Sequence, residues 1–226
     1  MTISPLARPL FTILAISAIG AAEVDFLDLR LGGGILSSNF KGASSTTVTD
    51  NNTNISTTTN SGDDGRDADS NYRGQFQLVW GSLGSAGGLI VGGGIAVNNA
   101  RFDNGAQEAD VTTPVINVMI GYGYAVTPAW HFELAPFAGV GRTYYSVRDN
   151  GSSSTSEEWD SYYEYGVKAG TYFTADSGWQ VGVEIPYLVG RFNPEYDHND
   201  NANTYTVSDE RSNQGFGLLV TVGKRF

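Results

Sequence analysis

The chain is informative first for what it lacks. It has no cysteine, which excludes disulfide bonds and thiolate metal sites, and it has only two histidines and two methionines. No apolar run approaches the ~18 residues that a membrane-spanning helix needs. Lysine and arginine together number 13, against 24 aspartates and glutamates, and a surface this acidic repels nucleic acid. Disulfide-rich, helical membrane and nucleic-acid-binding proteins are therefore poor matches.

The first 22 residues predict a secretory signal peptide. One basic residue, Arg8, precedes a short apolar segment over 10–22 that ends in small side chains. We place cleavage after Ala22, with Gly20 as the second choice and an amino-terminal anchor helix as the alternative. The remaining segment, 23–226, has 226 − 22 = 204 residues, which suits one domain. Its net charge is 12 − 24 = −12, because Arg8 is removed.

Apolar residues alternate with small or polar ones in eight segments. A strand points successive side chains to opposite faces, so each segment predicts a strand with one apolar side. Each has about the length of a tilted membrane strand. Mean hydropathy is only −0.20, which a barrel explains because alternate residues alone need to be apolar. The segments are 27–35, 72–80, 89–97, 116–124, 130–140, 163–173, 179–189 and 215–226.

The connectors between these segments alternate in length. Short ones fall at 81–86, 126–129 and 175–178, and long ones at 38–70, 99–113, 146–159 and 193–212. A membrane barrel gives this pattern when its short turns are periplasmic and its long loops extracellular. Segment 38–70 is rich in Thr, Asn, Ser and Asp, so we expect a long mobile extracellular loop. A further hairpin inside it would make ten strands.

The last segment carries a specific resemblance. Phe216, Leu218, Val220, Val222 and Phe226 share its apolar parity. This resembles the C-terminal strand of small eight-stranded bacterial outer-membrane β-barrels, such as the OmpA transmembrane domain, OmpX and opacity-type proteins. The resemblance implies an all-β fold, an eight-stranded antiparallel up-and-down transmembrane β-barrel in the bacterial outer membrane. It also implies recognition of the C-terminal strand by the barrel-insertion machinery. A soluble lipocalin-like barrel, with its apolar parity inward, is the rival fold.

Aromatic residues and prolines test the strand assignment. Tryptophans lie beside the short turns on the apolar parity, which predicts a periplasmic aromatic girdle of Trp80, Trp130, Trp179 and Phe226. Pro136 and Pro186 oppose a closed wall, because proline cannot donate to a ladder. We expect a bulge or a missing hydrogen bond at each.

Charged residues on the inward parity form the first candidate site. An eight-stranded barrel is just wide enough for its own side chains, and buried charges need partners. We therefore predict an ion-pair network that plugs the lumen, with a narrow ion or proton path as the alternative. Four acids and four bases belong to it: Asp28, Arg30, Arg73, Glu133, Glu164, Lys168, Glu184 and Arg225.

Basic residues at the tops of outward-facing strands form the second candidate site. Arg142 follows Trp130, and Arg191 follows Trp179, by twelve residues each, which spans roughly 30 Å in a tilted strand. That distance is about one hydrocarbon thickness. We predict contacts with lipopolysaccharide phosphates from Lys41, Arg101, Arg142 and Arg191. Ordinary snorkelling charge at strand ends is the alternative.

These features predict a structural or surface-interaction role, including adhesion, with acidic loops presented to an extracellular ligand. A narrow porin-like channel of the OmpW kind is the alternative, followed by a loop-side hydrolase of the omptin kind that uses His198. We expect no enzymatic activity, cofactor or metal. The loop carboxylates are interpreted as a solvated acidic face: Asp63, Asp64, Asp67, Asp69, Glu157, Glu158, Asp160, Glu195, Asp197 and Asp200.

Overall fold

All regular structure in the described part of the chain is β-strand. The computed structural model describes residues 25–50, 53–62, 66–83, 87–103, 107–149, 155–192, 195–199 and 203–226. Within these ranges no helix is long and apolar enough to cross a membrane. The predicted signal peptide, 1–22, lies outside them. The strands are β1 (Phe26–Asp50), β2 (Ser56–Gly62), β3 (Arg66–Asp67), β4 (Ser70–Gly81), β5 (Gly88–Asp103), β6 (Gln107–Thr127), β7 (Trp130–Asp149), β8 (Thr155–Thr174), β9 (Trp179–Phe192), β10 (Glu195–Asn199) and β11 (Asn203–Arg225).

Eight long strands form a closed wall. Their order is β11-β9-β8-β7-β6-β5-β4-β1, and β1 pairs with β11 to close it. Every neighbouring pair is antiparallel. Each of the eight predicted segments lies within one of these strands, except that the last extends one residue beyond β11, to Phe226. The predicted eight-stranded antiparallel up-and-down barrel is therefore confirmed.

The two faces of the wall have opposite chemistry. Apolar side chains on the outside are exposed, such as Leu31 at 61% and Ile116 at 65%. Charged side chains on the inside are buried, such as Arg30 at 1% and Glu184 at 0%. A soluble protein places these residue types the other way round. The lipocalin-like rival is therefore excluded, and the exterior suits acyl chains.

Three short strands lie at the long-loop end of the barrel. β2 pairs with β1 only from Ala43 upward, and β10 pairs with the upper part of β11. With the upper parts of β11 and β1, the strands β10 and β2 form a four-stranded sheet, β10-β11-β1-β2, that extends beyond the wall. Segment 38–70, predicted as a loop, is therefore largely strand over its described residues. The hairpin within it adds no strands to the wall, which contains eight.

The two prolines interrupt the wall as expected. The β6–β7 ladder is paired at Met119–Phe137 and again at Tyr122–Leu134, with no rungs opposite Pro136. The β9–β11 ladder likewise has no rungs between Phe216–Tyr187 and Leu219–Glu184, around Pro186. The register is the same on both sides of each gap. Missing hydrogen bonds, not bulges, accommodate the prolines.

Two apolar clusters lie inside the barrel near its ends. At the turn end, Phe26, Val79, Ile90, Met119 and Ala135 pack together, with Leu83 and Phe137 against them. At the loop end, Val115, Tyr162 and Phe192 pack with Phe40, whose ring meets Phe102 edge-on at 4.9 Å. The sequence does not predict these clusters, because their members are isolated apolar residues on the inward parity.

Candidate functional site: the lumen and the rim

A cluster of charges around Arg30 occupies the turn end of the lumen. The Arg30 guanidinium donates to the Glu133 carboxylate at 2.7 and 2.5 Å, and to Asp28 Oδ2 at 2.7 Å. Arg225 Nε donates to Asp28 Oδ1 at 2.8 Å. Asp28 and Arg225 lie directly opposite each other on β1 and β11, whereas Glu133 is on β7. The cluster therefore joins three strands through doubly hydrogen-bonded charges.

Tyr172 connects this cluster to the middle of the barrel. The Arg30 guanidinium carbon lies 3.9 Å from the centre of the Tyr172 ring, a cation–π contact. The Tyr172 hydroxyl donates to Glu184 at 2.7 Å. Glycine makes room for this ring, since a Cβ at Gly182 would lie 2.3 Å from Tyr172 Cδ1.

Lys168 and Glu184 form the middle layer. Lys168 Nζ donates to Gln77 Oε1 at 2.8 Å and lies 3.4 Å from Glu184 Oε2. Gln75 donates to the same Glu184 oxygen at 2.8 Å. A cavity of about 10 Å³ adjoins this layer, with Met119 among its lining residues. Such a volume is close to the room that one water molecule needs.

Arg73 and Glu164 form the upper layer. Arg73 donates through both terminal nitrogens to the Glu164 carboxylate, at 3.0 and 2.8 Å, and also to Asn98 Oδ1 at 2.8 Å. The Tyr162 hydroxyl donates to Glu164 at 3.2 Å. Tyr162 also belongs to the apolar cluster at the loop end. The charged layer is thus covered by aromatic side chains.

All eight predicted lumen residues point inward, and each lies within 4 Å of an opposite charge. Sequence reasoning missed the neutral side chains that link the layers, chiefly Gln75, Gln77, Gln180, Tyr172 and Tyr162. The signal was present, since these residues occupy the same inward parity as the charges. They were missed because only side chains that carry a charge at neutral pH were considered.

Within the described residues, one group has the composition of a metal site. Ligand atoms of Asp28, His131 and Glu133 all lie within 4.8 Å of one another. Arg30 already donates to both carboxylates, and Arg225 donates to Asp28. A cation placed there would meet two guanidinium groups. The geometry fits an ion-pair cluster and does not fit a metal ion.

The aromatic girdle lies on the outside at the turn end. Trp130, Trp179 and Phe226 are exposed at 43%, 60% and 67%, and Trp80 is half-buried. Trp130 Nε1 donates to Thr171 Oγ1 at 2.6 Å, and Lys224 Nζ lies 5.7 Å from the Trp179 ring centre. The placement matches amphipathic rings at a membrane interface.

The four basic rim residues share the outward side but not one environment. Lys41, Arg101 and Arg142 are exposed, and Arg191 is half-buried. Arg101 forms an ion pair with Glu108 at 3.0 Å. The backbone of His198 lies on β10, but its side chain is outside the described residues. The side chains of Glu157, Glu158, Glu195 and Asp197 are likewise outside the described residues, and Asp63, Asp64 and Asp200 lie outside them altogether.

No protein-family model and no curated protein matches the chain. Several solved structures are similar. Ail, the attachment invasion locus protein of Yersinia pestis, in complex with the heparin analogue sucrose octasulfate, is 14% identical, with 86% of this chain and 99% of that chain covered and a TM-score of 0.38. The outer membrane protein OprG from Pseudomonas aeruginosa is 12% identical, with coverages of 88% and 95% and a TM-score of 0.36. The outer membrane protease OmpT from Escherichia coli is 12% identical, with coverages of 90% and 98% and a TM-score of 0.33.

These similarities are too distant to identify a function. The fold rests on the chain's own strand registers and on its apolar exterior. The chain is a closed eight-stranded transmembrane β-barrel with an apolar exterior and a buried polar interior.

Proposed function

We propose that the chain is an integral protein of the bacterial outer membrane whose filled barrel supports extracellular strands that contact a partner. The observation that carries this is the continuous pairing of β1 with β11, which extends above the wall to Asp50 opposite Asn203. A pore needs no such extension. A support for an external binding surface does.

The lumen is interpreted as a plug. Three charged layers follow one another along the barrel, and neutral side chains connect them. The apolar cluster around Tyr162 and Phe192 covers the loop end. Arg225 and the apolar cluster around Phe26 occupy the turn end. Small barrels of eight strands fill their interior in this way. Separating the partners of a buried ion pair would leave an uncompensated charge, which costs free energy. The network therefore stays paired and fills the lumen.

Electrical recording tests the plug. Purified protein in planar bilayers is expected to show no stable open conductance. Since the chain has no cysteine, a single thiol can report on access. We expect Thr143→Cys, which is fully buried on the inward side, to react slowly with a charged thiol reagent. Thr47→Cys on the extracellular sheet is the matched control and should react fast. Stable conductance at the nanosiemens scale would contradict the plug.

A narrow channel is the second candidate. Lys168 Nζ and Glu184 Oε2 are 3.4 Å apart, the longest of the buried Lys or Arg to carboxylate contacts described above, and the small cavity adjoins them. A path for ions would therefore pass through this layer. If the middle layer is the constriction, Lys168→Ala combined with Glu184→Ala would create conductance that the unmodified protein lacks. Conductance in the unmodified protein would make the channel the first candidate.

The outer edge of β2 is proposed as the contact surface for the partner. Within the described residues this edge pairs with no strand, and β2 contains neither charge nor proline. Unprotected edges of this kind accept an extended peptide as an additional strand. The sheet beneath it is held by hydroxyl pairs, such as Thr47 with Thr58 at 2.9 Å.

Edge protection tests this surface. Thr57→Lys combined with Thr59→Lys places two charges along the edge, which blocks strand addition. Thr53→Lys combined with Asn54→Lys adds the same charge in the preceding turn and is the control. Phage-displayed random peptides selected on the unmodified protein should lose binding to the first variant and keep binding to the second. Equal binding to both variants would exclude the edge.

Three further features belong to the same proposal. Lipopolysaccharide phosphates are contacted by four basic residues: Lys41, Arg101, Arg142 and Arg191. The barrel-insertion machinery recognises the C-terminal strand that ends at Phe226. The protein has no catalytic role. The rival hydrolase would lose its activity on His198→Ala, so detection of peptide hydrolysis that this change abolishes would overturn the last point.

A further inference from the structure

Four outward-facing residues form one continuous row across the wall. Lys41 on β1 lies opposite Ser212 on β11, and Ser212 lies opposite Arg191 on β9. Arg191 in turn lies opposite Tyr163 on β8. Directly opposed residues have Cβ atoms about 5 Å apart, so the two basic side chains start about 10 Å apart with a hydroxyl between them. We call Lys41, Ser212, Arg191 and Tyr163 the rim row.

The rim row lies where the exterior changes from apolar to polar. Three rows below it, Ile35 faces Leu218, and both are exposed apolar residues. Six residues above Lys41 along β1, Thr47 faces outward and its hydroxyl pairs with Thr58. The row is also about one hydrocarbon thickness above the girdle, since Arg191 follows Trp179 by twelve residues. This is the level of the outer-leaflet headgroups.

The spacing suits a single phosphate group. Arg presents paired donors to phosphate oxygens, and Lys adds a point charge with three donors. Side chains that begin on both sides of Ser212 can converge on one anion above it, and the hydroxyls of Ser212 and Tyr163 are additional donors. The flanking Arg and Lys are necessary for this arrangement. A single basic side chain that only reaches toward the headgroups would not require neighbouring hydroxyl groups such as those of Ser212 and Tyr163.

The other two basic rim residues are arranged differently. Arg101 lies on β5 opposite Ser70 on β4, on the other side of β1 from the rim row. Arg142 lies opposite Ser161, two residues before Tyr163 on β8, so it is one row nearer the loop end and not in the rim row. The predicted set of four is therefore not one equivalent group.

We infer that Lys41, Arg191 and Ser212 form one binding site for a phosphate of lipid A in the outer leaflet. This deepens the proposed function and rests on its outer-membrane location. The site would hold one phosphorylated sugar at a fixed position against β9, β11 and β1, beneath the extracellular sheet. Neighbouring lipids would be held only by general attraction.

The test is a titration of fluorescent diphosphoryl lipid A into the folded protein in dodecyl maltoside micelles, which contain no phosphate. Lys41→Gln combined with Arg191→Gln should weaken apparent affinity by about tenfold or more. Arg148→Gln combined with Lys224→Gln removes the same charge outside the four basic rim residues and should change it less than twofold. Ser212→Ala should give a smaller loss than the row double variant.

Each other outcome overturns the inference. Equal losses in both double variants would indicate general electrostatic attraction, and no loss in either would mean that the row does not bind lipid A. Competition by inorganic phosphate at the same phosphate concentration would exclude the lipid as the specific ligand. None of these results affects the proposed plug or the proposed contact surface on β2, because closed-barrel mobility in unheated detergent gels and the absence of conductance are measured separately on the same samples.

Discussion

The β1–β11 and β6–β7 ladders differ in continuity. The β1–β11 ladder runs without a break from Asp28 opposite Arg225 to Asp50 opposite Asn203. The β6–β7 ladder has gaps around Pro136 and near Pro114, and its register shifts between Ala125 and Thr127. The first joins the two ends of the barrel sequence, and the second joins neighbours along the chain.

The difference shows where strand pairing must be specified most strongly. β6 and β7 are connected by the short turn at 128–129, so their pairing remains local even when rungs are missing. β1 and β11 have no such connection and are brought together only when the barrel closes. Side-chain bonds reinforce that closure, because Asp28 and Arg225 bond directly across it and Arg30 extends the cluster to Glu133.

The largest expected effect comes from breaking the cluster at the closing ladder. Arg30→Met removes the shared partner of Asp28 and Glu133, and we expect a loss of about 3–5 kcal/mol in the free energy of unfolding. Urea titration in micelles, followed by the gel shift between folded and heated protein, measures it. Arg101→Met breaks an exposed pair and should change stability by about 1 kcal/mol or less. A similar loss in both would mean that burial of the cluster is unimportant.

A smaller effect is expected at the end of the same ladder. Arg225→Gln leaves Asp28 with its bond from Arg30, so we expect a loss of about 1–3 kcal/mol. Because this bond spans the closing ladder, refolding into lipid vesicles should also slow. Lys224→Gln, one residue away on the outward side, is the control. If refolding slows equally in both, charge near the C-terminus and not the Asp28 bond controls closure.

The smallest effect is expected in the β6–β7 ladder. Pro136→Ala supplies the missing backbone donor, worth about 1 kcal/mol if a rung forms opposite Ile120. Loss of proline's restriction on the unfolded chain opposes this gain by a similar amount. We therefore expect a change within about 1 kcal/mol of zero in the same urea titration. A loss above 2 kcal/mol would show that this gap is required by the wall.

Strand parity made most of the fold predictable. It placed Glu133, Glu164 and Lys168 inside and the tryptophans outside, because a period of two fixes the face of every residue once a strand is assigned. It could not give partners. Arg30 reaches Glu133 on β7, four wall strands away in either direction, and that contact depends on the tilt and stagger of the whole barrel.

Composition misled the interpretation of segment 38–70. Its scarcity of apolar residues predicts a loop, yet Thr47 and Thr49 lie in β1 and pair with β2. Threonine suits a strand without a core when a paired neighbour supplies the backbone hydrogen bonds. These residues of β1 also pair with β11 on their other side. Because β11 is distant in sequence, the local composition could not indicate this pairing.

The height of the β1–β11 ladder determines which part of the protein is accessible from outside the cell. Above Lys41 the ladder continues for 50 − 41 = 9 residues, which is about 30 Å of strand. If lipid A binds at the rim row, the saccharide chains of the surrounding lipopolysaccharide would cover a short hairpin. Strands this tall raise β2 toward the outer limit of those chains, where a large molecule approaching from the medium can reach it.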